Sequence, residues 1–459
     1  MGIARESPDG RSLTVVTADP AAAKPASVQL AWNGEVSDTR KATAPDRRVQ
    51  PRSGDRVPVD PSTPGRFTTS RADYDFGDSA ATLPGLGGRA VEKRAAVWVP
   101  SAPGPRPVVL FLHGRHSACW RPATNTIDNT QWPCVPEFQP IQSFRGYDQA
   151  AQSLASHGYV VVSISANGVS AQDNPYSEDA GATARGQLVL EHLDLLAKAN
   201  RGNRLGMSPL LRGKLDLSDI GLMGHSRGGE GMVKAALMNS GRPRPYGIRA
   251  ALPLAPTDFG RGTLPGVPMA VVLPYCDGDL SNLQGQHFYD DTRYADVGDA
   301  VMRSSVMVLG ANHNYFNTEW TPGATVAPAN DDWQNQDDPT CGTNSPTTTR
   351  LSAADQYQVG VDYIVGFFRL TMGRETAFSP MFDGGTATVG AATVLQVSQS
   401  PRRVDVAPLQ GASPNVHSPF GNTARAWPDD PHRVACLRVP PPPPPGASRR
   451  SPRPTTGGT

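Results

Sequence analysis

Short apolar runs alternate with segments of helical periodicity through the middle of the chain. The pattern predicts strands at 66–69, 91–100, 108–112, 159–164, 248–254, 269–274 and 306–309, and in the apolar run that ends at Gly224. It predicts helices at 147–157, 184–200, 232–238 and 351–370. The strands are short and do not alternate with polar residues, which is typical of a parallel sheet covered on both faces. We therefore expect an α/β fold with a doubly wound, mostly parallel sheet.

The composition changes on either side of this region. Residues 1–64 are rich in Pro, Arg, Asp, Ser and Thr, and we expect a disordered leader before an α/β domain at 65–373. Residues 391–397 alternate as a strand does, so residues 374–437 are predicted to form a small β-rich appendage. Residues 438–459 contain six consecutive prolines and are predicted to be an extended or disordered tail.

One strand ends in Gly224-His225-Ser226-Arg227-Gly228, and a helical pattern follows directly. A Gly-x-Ser-x-Gly motif between a strand and a helix is typical of a nucleophile elbow, in which the chain turns sharply and exposes the serine hydroxyl. Glycine neighbours let the strand and the helix approach closely. We therefore identify Ser226 as the candidate nucleophile.

A serine nucleophile needs a histidine base, which in folds with this elbow follows the acid along the chain. Of the nine histidines, His287 and His313 are the ones that follow a late strand. His313 comes directly after the last predicted strand, in a loop of small residues, and we assign it as the base. The alternative is an ordinary loop or packed histidine.

The acid is expected in the turn after the strand at 269–274, which reads Cys276-Asp277-Gly278-Asp279. We favour Asp279, because the acid usually occupies the fourth place of such a turn, after a small residue. Asp277 is a close competitor, and Asp258, after the preceding strand, is a third candidate. Any of the three could instead stabilise a turn or cap a helix, which is the commonest use of Asp in loops.

Acyl transfer also requires donors that face the developing oxyanion. We assign the backbone N–H groups of Arg227, which follows the serine, and of Arg115, in the loop after His113-Gly114. Glu230 lies in the first helical turn behind the elbow, where a carboxylate is favourable. A direct role of Glu230 in proton transfer is the alternative.

Composition restricts partners and location. The 43 Lys and Arg balance 42 Asp and Glu, which gives no general attraction to nucleic acid, and no apolar run is long enough to span a membrane.

Five cysteines without a Cys-x-x-Cys pair favour two disulfides, with Cys119 and Cys134 in one loop region, Cys276 and Cys341 around the site, and Cys436 left over. Five unpaired cysteines in a cytosolic protein are the alternative. No secretory leader is visible, yet we expect an extracellular monomer that needs no cofactor or metal.

These motifs, in this order, resemble the α/β-hydrolase superfamily. Within it, residues 66–373 are most similar to the secreted serine esterases of actinobacteria, a group that includes cutinase-like and polyester hydrolases. The elbow, the oxyanion strand, the acid turn and the terminal histidine loop each have a counterpart here, although Arg227 stands where that group usually has Met. The resemblance implies hydrolysis of small or polymeric esters.

The function predicted is cleavage of carboxylic esters through an acyl-enzyme formed by Ser226, His313 and Asp279. Lipase, peptidase or thioesterase activity with the same three residues remains an alternative. A second alternative is a secreted binding protein on a hydrolase scaffold, which would use the C-terminal β segment or the aromatic insertion at 317–348. This insertion is otherwise expected to be a lid or a wall of the substrate cleft.

Overall fold

The computed structural model describes residues 60–128, 131–202, 206–295, 299, 301–323 and 326–399, together with short strands in the flanking segments. The chain divides into two units, one formed by Asp46–Arg403 and one by Met1–Pro45 with Val404–Thr459. In the second unit the strands Ile3–Glu6 and Leu13–Val16 pair, as do Ala31–Trp32 and Glu35–Val36, and Asn415–His417, Thr423–Arg425 and Cys436–Arg438 form a three-stranded sheet. The rest of the predicted leader and tail, and the bonding state of Cys436, lie outside the described residues.

Eleven of the described strands form one mixed sheet, and we number these strands along the chain. They are β1 (Thr69–Arg71), β2 (Tyr74–Asp75), β3 (Arg94–Pro100), β4 (Arg106–Leu112), β5 (Val160–Ile164), β6 (Leu215–His225), β7 (Ile248–Leu254), β8 (Met269–Pro274), β9 (Arg303–Val308), β10 (Gly385–Val389) and β11 (Ala392–Gln399). The order is β10-β11-β9-β8-β7-β6-β4-β5-β3-β1, with β2 also paired to β3. The six central strands, β4 to β9, are parallel to one another. The predicted α/β character and predominantly parallel centre are thus observed.

The C-terminal strands differ from the sequence prediction. Residues 385–399 were expected in a separate appendage, but β11 pairs antiparallel with β9 along its whole length, from Arg303 to Val308. Strand β10 then pairs antiparallel with β11. The alternating pattern of residues 392–399 arises because this strand, next to the edge strand β10, has one buried and one exposed face.

Helices cover the sheet, and we number six of them along the chain. They are α1 (Asp148–Ser156), α2 (Asn167–Tyr176), α3 (Ala182–Asn200), α4 (Arg227–Ser240), α5 (Gln286–Ala295) and α6 (Ala353–Thr371). The sequence pattern predicted α1, α3, α4 and α6, but α2 and α5 are polar and were not predicted. Among the described residues, no helix is both long and apolar enough to cross a membrane.

In the part of the chain that the structure describes, the two large apolar clusters of the core lie one on each face of the sheet. Strand β4 contributes to both, because successive side chains of a strand point to opposite faces. Leu110 packs with residues of α3 and α4, whereas Phe111 packs with residues of α1 and α6. Both side chains are fully buried, and each such burial contributes about 1.5–3 kcal/mol to folding. The carboxyl ends of the parallel strands are thereby held in a fixed arrangement at one edge.

Candidate active site

The motif around Ser226 forms a sharp turn between β6 and α4. Ser226 has φ 57° and ψ −129°, a strained conformation for a residue with a side chain. Its backbone N–H donates to the Leu254 carbonyl at 2.9 Å, and its own carbonyl accepts from Gly229 N at 2.8 Å. A Cβ on Gly224 would lie 2.2 Å from the carbonyl oxygen of Gly228, so the crossing of strand and helix requires glycine there. The predicted elbow geometry is present.

His313 lies beside this elbow, in the loop after β9, and is 2 % exposed. The contact is made by His225, the residue before Ser226, whose Nε2–H donates to the His313 carbonyl at 2.9 Å. His225 Nδ1 in turn accepts from the Tyr147 hydroxyl at 3.0 Å, and the two imidazole rings are 5.4 Å apart between centroids. Burial and the nearby His313 lower the pKa of His225, so it holds the two loops together as a neutral ring.

Two carboxylates of the turn after β8 contact His313, at different ring nitrogens. Asp277 is buried, and its Oδ2 lies 2.8 Å from His313 Nδ1. Its Oδ1 accepts from Leu280 N at 2.6 Å, which fixes the carboxyl group. Asp279 has a side chain that is 61 % exposed and lies 3.4 Å from Nε2. The hydrogen bond that orients the imidazole is therefore made by Asp277, the competitor, and not by Asp279, which the sequence favoured.

The charges around His313 change its proton affinity. Burial alone lowers its pKa, but the charge and hydrogen bond of Asp277, together with the charges of Asp279 and Asp332, outweigh burial and raise the pKa to about 9. Below that pH the ring is a cation stabilised by carboxylates. Such surroundings favour the imidazolium that a histidine base becomes when it accepts a proton.

The insertion at 317–348 supports the acid turn from outside. Asp332 accepts from Gly278 N at 3.2 Å and from Asp279 N at 3.1 Å. Cys341 forms a disulfide with Cys276, the residue before Asp277. Trp320 is buried, and its Nε1–H donates to Ser143 Oγ at 3.1 Å. Asp332 and Cys341 thus attach this segment to the acid turn, and Trp320 attaches it to Ser143.

The loop after β4 approaches the serine closely. A Cβ on Gly114 would lie 2.5 Å from Ser226 Cβ and 3.1 Å from its hydroxyl oxygen. His113 anchors the loop, because its Nε2 accepts from Ala166 N at 2.8 Å and its Nδ1–H donates to the Gly114 carbonyl. Arg115 follows immediately, and Arg227 is the first residue of α4, where a backbone N–H has no intrahelical acceptor.

The remaining candidates make other contacts. Asp258 Oδ2 lies 3.6 Å from His287 Nδ1, and its Oδ1 accepts from Gly262 N, while burial raises the pKa of Asp258 to about 7. Glu230 accepts from Gly260 N at 2.7 Å and from Thr257 Oγ1 at 2.9 Å. Glu230 thus holds the loop after β7, a contact that the sequence did not predict.

Both expected disulfides are present, since Cys119 bonds to Cys134 and Cys276 to Cys341. With a serine at a strand-to-helix turn and a buried histidine–carboxylate pair beside it, the mixed α/β sheet has the character of a hydrolase fold.

Comparison with known proteins agrees with this class. A family model described as PET hydrolase-like (PETase) matches residues 122–321, which include Ser226, Asp277, Asp279 and His313 but not Arg115. The chain is also 30 % identical over 212 residues to a bis(hydroxyethyl) terephthalate hydrolase of Streptomyces coelicolor, a match that covers 46 % of this chain and 58 % of that protein. The chain thus spans little more than half the length of that relative. These similarities confirm the resemblance to actinobacterial polyester hydrolases.

Proposed function

We propose that this protein is a serine esterase that cleaves carboxylic esters on a doubly wound α/β-hydrolase fold. The observation that carries the proposal is the buried His313–Asp277 pair next to the elbow that presents Ser226. Similarity to a terephthalate-ester hydrolase supports the same reaction class.

In this proposal, Ser226 Oγ attacks the ester carbonyl carbon while His313 Nε2 takes the hydroxyl proton. Asp277, hydrogen-bonded to Nδ1, orients the ring and stabilises its cation. The protonated His313 then gives its proton to the leaving alkoxide, which departs as an alcohol and leaves an acyl-serine. Water, deprotonated by His313, attacks the acyl-serine. The protonated His313 then returns this proton to Ser226 Oγ as the bond between Oγ and the acyl carbon breaks, which releases the carboxylic acid and the free serine. No cofactor takes part in these steps.

The negative charge of each tetrahedral intermediate needs donors beside Ser226. We propose the backbone N–H groups of Arg115 and Arg227 for this role, as the sequence suggested. Support comes from the contact between the Gly114 loop and Ser226, and from the position of Arg227 at the start of α4. The positive end of the helix dipole adds to this stabilisation.

We further propose an aromatic ester as substrate, because the Streptomyces relative is named for a terephthalate diester. Phe259 follows β7 at the same sheet edge as the site, is 51 % exposed, and lies 5.9 Å below the Arg227 guanidinium. An exposed ring near the side chain of Arg227, the residue after the nucleophile, can stack on an aromatic acyl group. Replacement of Phe259 by Ala should raise KM for a terephthalate diester about 2- to 12-fold, from roughly 0.5–1.5 kcal/mol of aromatic contact. KM for p-nitrophenyl acetate should change little, and Phe76→Ala, an exposed aromatic elsewhere, serves as control. Equal KM changes for both esters would contradict the aromatic preference.

Two disulfides persist in an oxidising environment, so we propose that the enzyme acts outside the cell. The further proposal that it is a monomer comes from the sequence alone.

The decisive experiment is labelling with a fluorophosphonate probe together with hydrolysis of p-nitrophenyl acetate. Wild type should be labelled and active, and Ser226→Ala should lose both properties. Ser218→Ala, on the exposed part of the same strand, is the matched control and should retain them. An unlabelled wild type, or a labelled Ser226→Ala variant, would exclude the proposed mechanism.

A further inference from the structure

Three arginines from three elements surround one buried carboxylate next to the elbow. Asp173, on α2, is fully buried, and its Oδ1 accepts from Arg115 Nε at 3.1 Å. Its Oδ2 accepts from Arg185 Nη2, on α3, at 2.9 Å. The same oxygen is paired with Arg227 Nη1 at 2.9 Å. Two of these three arginines are the residues to which the proposed function assigns the oxyanion donors.

The cluster is tightly built. Arg185 is fully buried and also donates to the Ala180 carbonyl, at 3.1 Å. Arg227 Nη1 additionally donates to Asn174 Oδ1 at 2.9 Å. Gly181 has φ 83°, and a Cβ there would lie 2.6 Å from Arg185 Nη1 and 2.7 Å from Asp173 Cβ. The space around the carboxylate is therefore filled by the chain itself.

We propose that Asp173 is the positioning residue of the oxyanion hole. One carboxylate ties the side chain of Arg115, in the loop after β4, to that of Arg227, at the first position of α4. It thereby sets the separation of the two backbone N–H groups that are proposed to bind the oxyanion. The inference rests on the proposed esterase mechanism.

The electrostatics explain why a carboxylate is needed at this point. Burial, followed by the repulsion from Arg227 and Arg115, opposes the charge of Arg185 and lowers its pKa, whereas Asp173 favours that charge. Without the carboxylate, three like charges would face one another and one of them would be buried without a counter-ion. The two partly exposed arginines would then move outward, taking their backbone with them.

Such a movement would weaken transition-state binding more than substrate binding. Oxyanion donors contact the charge that develops during the reaction, and removal of one donor typically costs about 10²–10³ in kcat. Displacement of donors costs less than removal. We therefore expect Asp173→Asn to lower kcat about 10- to 100-fold, with KM within about 3-fold of wild type.

The test compares Asp173→Asn with Asp179→Asn in p-nitrophenyl acetate hydrolysis. Asp179 lies in the adjoining segment and bonds to Ser177 and Thr183, not to the arginines, so its variant should retain wild-type kcat. A double-mutant cycle with Arg115→Gln gives a second readout. If Asp173 acts through Arg115, its substitution should cost at least about threefold less in kcat when Arg115 is already Gln.

Each outcome distinguishes between the two proposals. A wild type that neither hydrolyses the ester nor reacts with a fluorophosphonate removes the esterase mechanism and this inference together. An active wild type with a folded Asp173→Asn variant of unchanged kcat, or a loss confined to KM, overturns only the role of Asp173. If Asp173→Asn does not fold, the variants Arg115→Gln and Arg227→Gln test the same role. Both side chains are partly exposed, so we expect these two variants to fold. Unchanged kcat in both of these variants would also overturn it.

Discussion

Two aspartates of one turn contact His313, and their surroundings give them different chemical roles. Asp277 is buried and hydrogen-bonded to Nδ1, so it can fix the ring tautomer and orientation. Asp279 is mostly exposed to water, which weakens its interaction with Nε2. We therefore infer that catalysis depends on the first carboxylate, whereas the second adjusts the proton affinity of the base.

Substitution of each aspartate by Asn tests this division. Asp277→Asn should reduce kcat about 10⁴-fold, because the amide can stabilise the wrong tautomer and cannot stabilise the imidazolium. Asp279→Asn should reduce kcat less than about tenfold, since it removes only an exposed ion pair. Steady-state kinetics on p-nitrophenyl acetate measure both values. A larger loss for Asp279→Asn would reverse the assignment.

The pH dependence follows from the raised pKa of His313. The base must be neutral to accept the serine proton, so kcat/KM should rise with pH until the pH exceeds about 9. Asp279→Asn removes one of the carboxylates that stabilise the cation, and the rising limb should move to lower pH. Exposed pairs contribute about 0.2–1 kcal/mol, which corresponds to a movement of about 0.2–0.7 pH units. A limb that stays in place, or moves to higher pH, would contradict the contribution of Asp279.

The sequence proposes Ser226 and His313 from local context, a motif in one case and the position after a strand in the other. It could not separate Asp277 from Asp279, since both lie in the same turn, two residues apart. Their difference is burial, and burial here depends on Asp332 and Cys341, more than 50 residues further along the chain. A turn motif contains no information about such a distant contact.

The acid turn is held by a segment that packs over it. The Cys276–Cys341 disulfide joins the turn to residues 331–350, and Asp332 bonds to two of its backbone N–H groups. The Cys119–Cys134 disulfide lies in the loop region after β4 and joins no element of the His313–Asp277 pair. The two bonds should therefore differ in their effect on catalysis.

Removal of each disulfide by paired Cys→Ser substitution tests this difference. Loss of Cys276–Cys341 should lower kcat about 10- to 100-fold, because small displacements of catalytic groups are costly. It should also destabilise the protein by about 2–4 kcal/mol. Loss of Cys119–Cys134 should lower stability but leave kcat for p-nitrophenyl acetate near wild type. Urea denaturation and steady-state kinetics measure the two effects. Equal losses of kcat would contradict a specific role of the first bond.

Most elements were predictable because their apolar residues recur with a clear period. Helices α2 and α5 were missed since they are polar: α2 contains Gly168 near its start and Pro175 near its end. The sequence does not distinguish Asp173 for the same reason, because a carboxylate in a polar stretch resembles any solvated residue. Its burial arises from Arg185 and Arg227, which tertiary packing brings to it.

The main sheet extends beyond the domain end that the sequence predicted. Truncation after residue 373 removes β10 and β11, whereas truncation after residue 403 retains both strands. The shorter chain should be poorly soluble or melt at lower temperature, because β9 would become an unprotected edge. The longer chain should have the melting temperature of the full protein. Circular dichroism and solubility measure the outcome, and equal melting temperatures for the two truncated chains would contradict this role of the C-terminal strands.

Strands β10 and β11 are synthesised long after β9, and this order has a consequence for folding on the ribosome. Strand β9 ends at residue 308, but its partner β11 begins at residue 392, so a growing chain exposes unpaired backbone groups while about 80 further residues are added. During that interval the unpaired edge of β9 can pair with other chains and promote aggregation. Chaperones, or rapid translation of residues 309–391, should therefore improve the yield of folded protein.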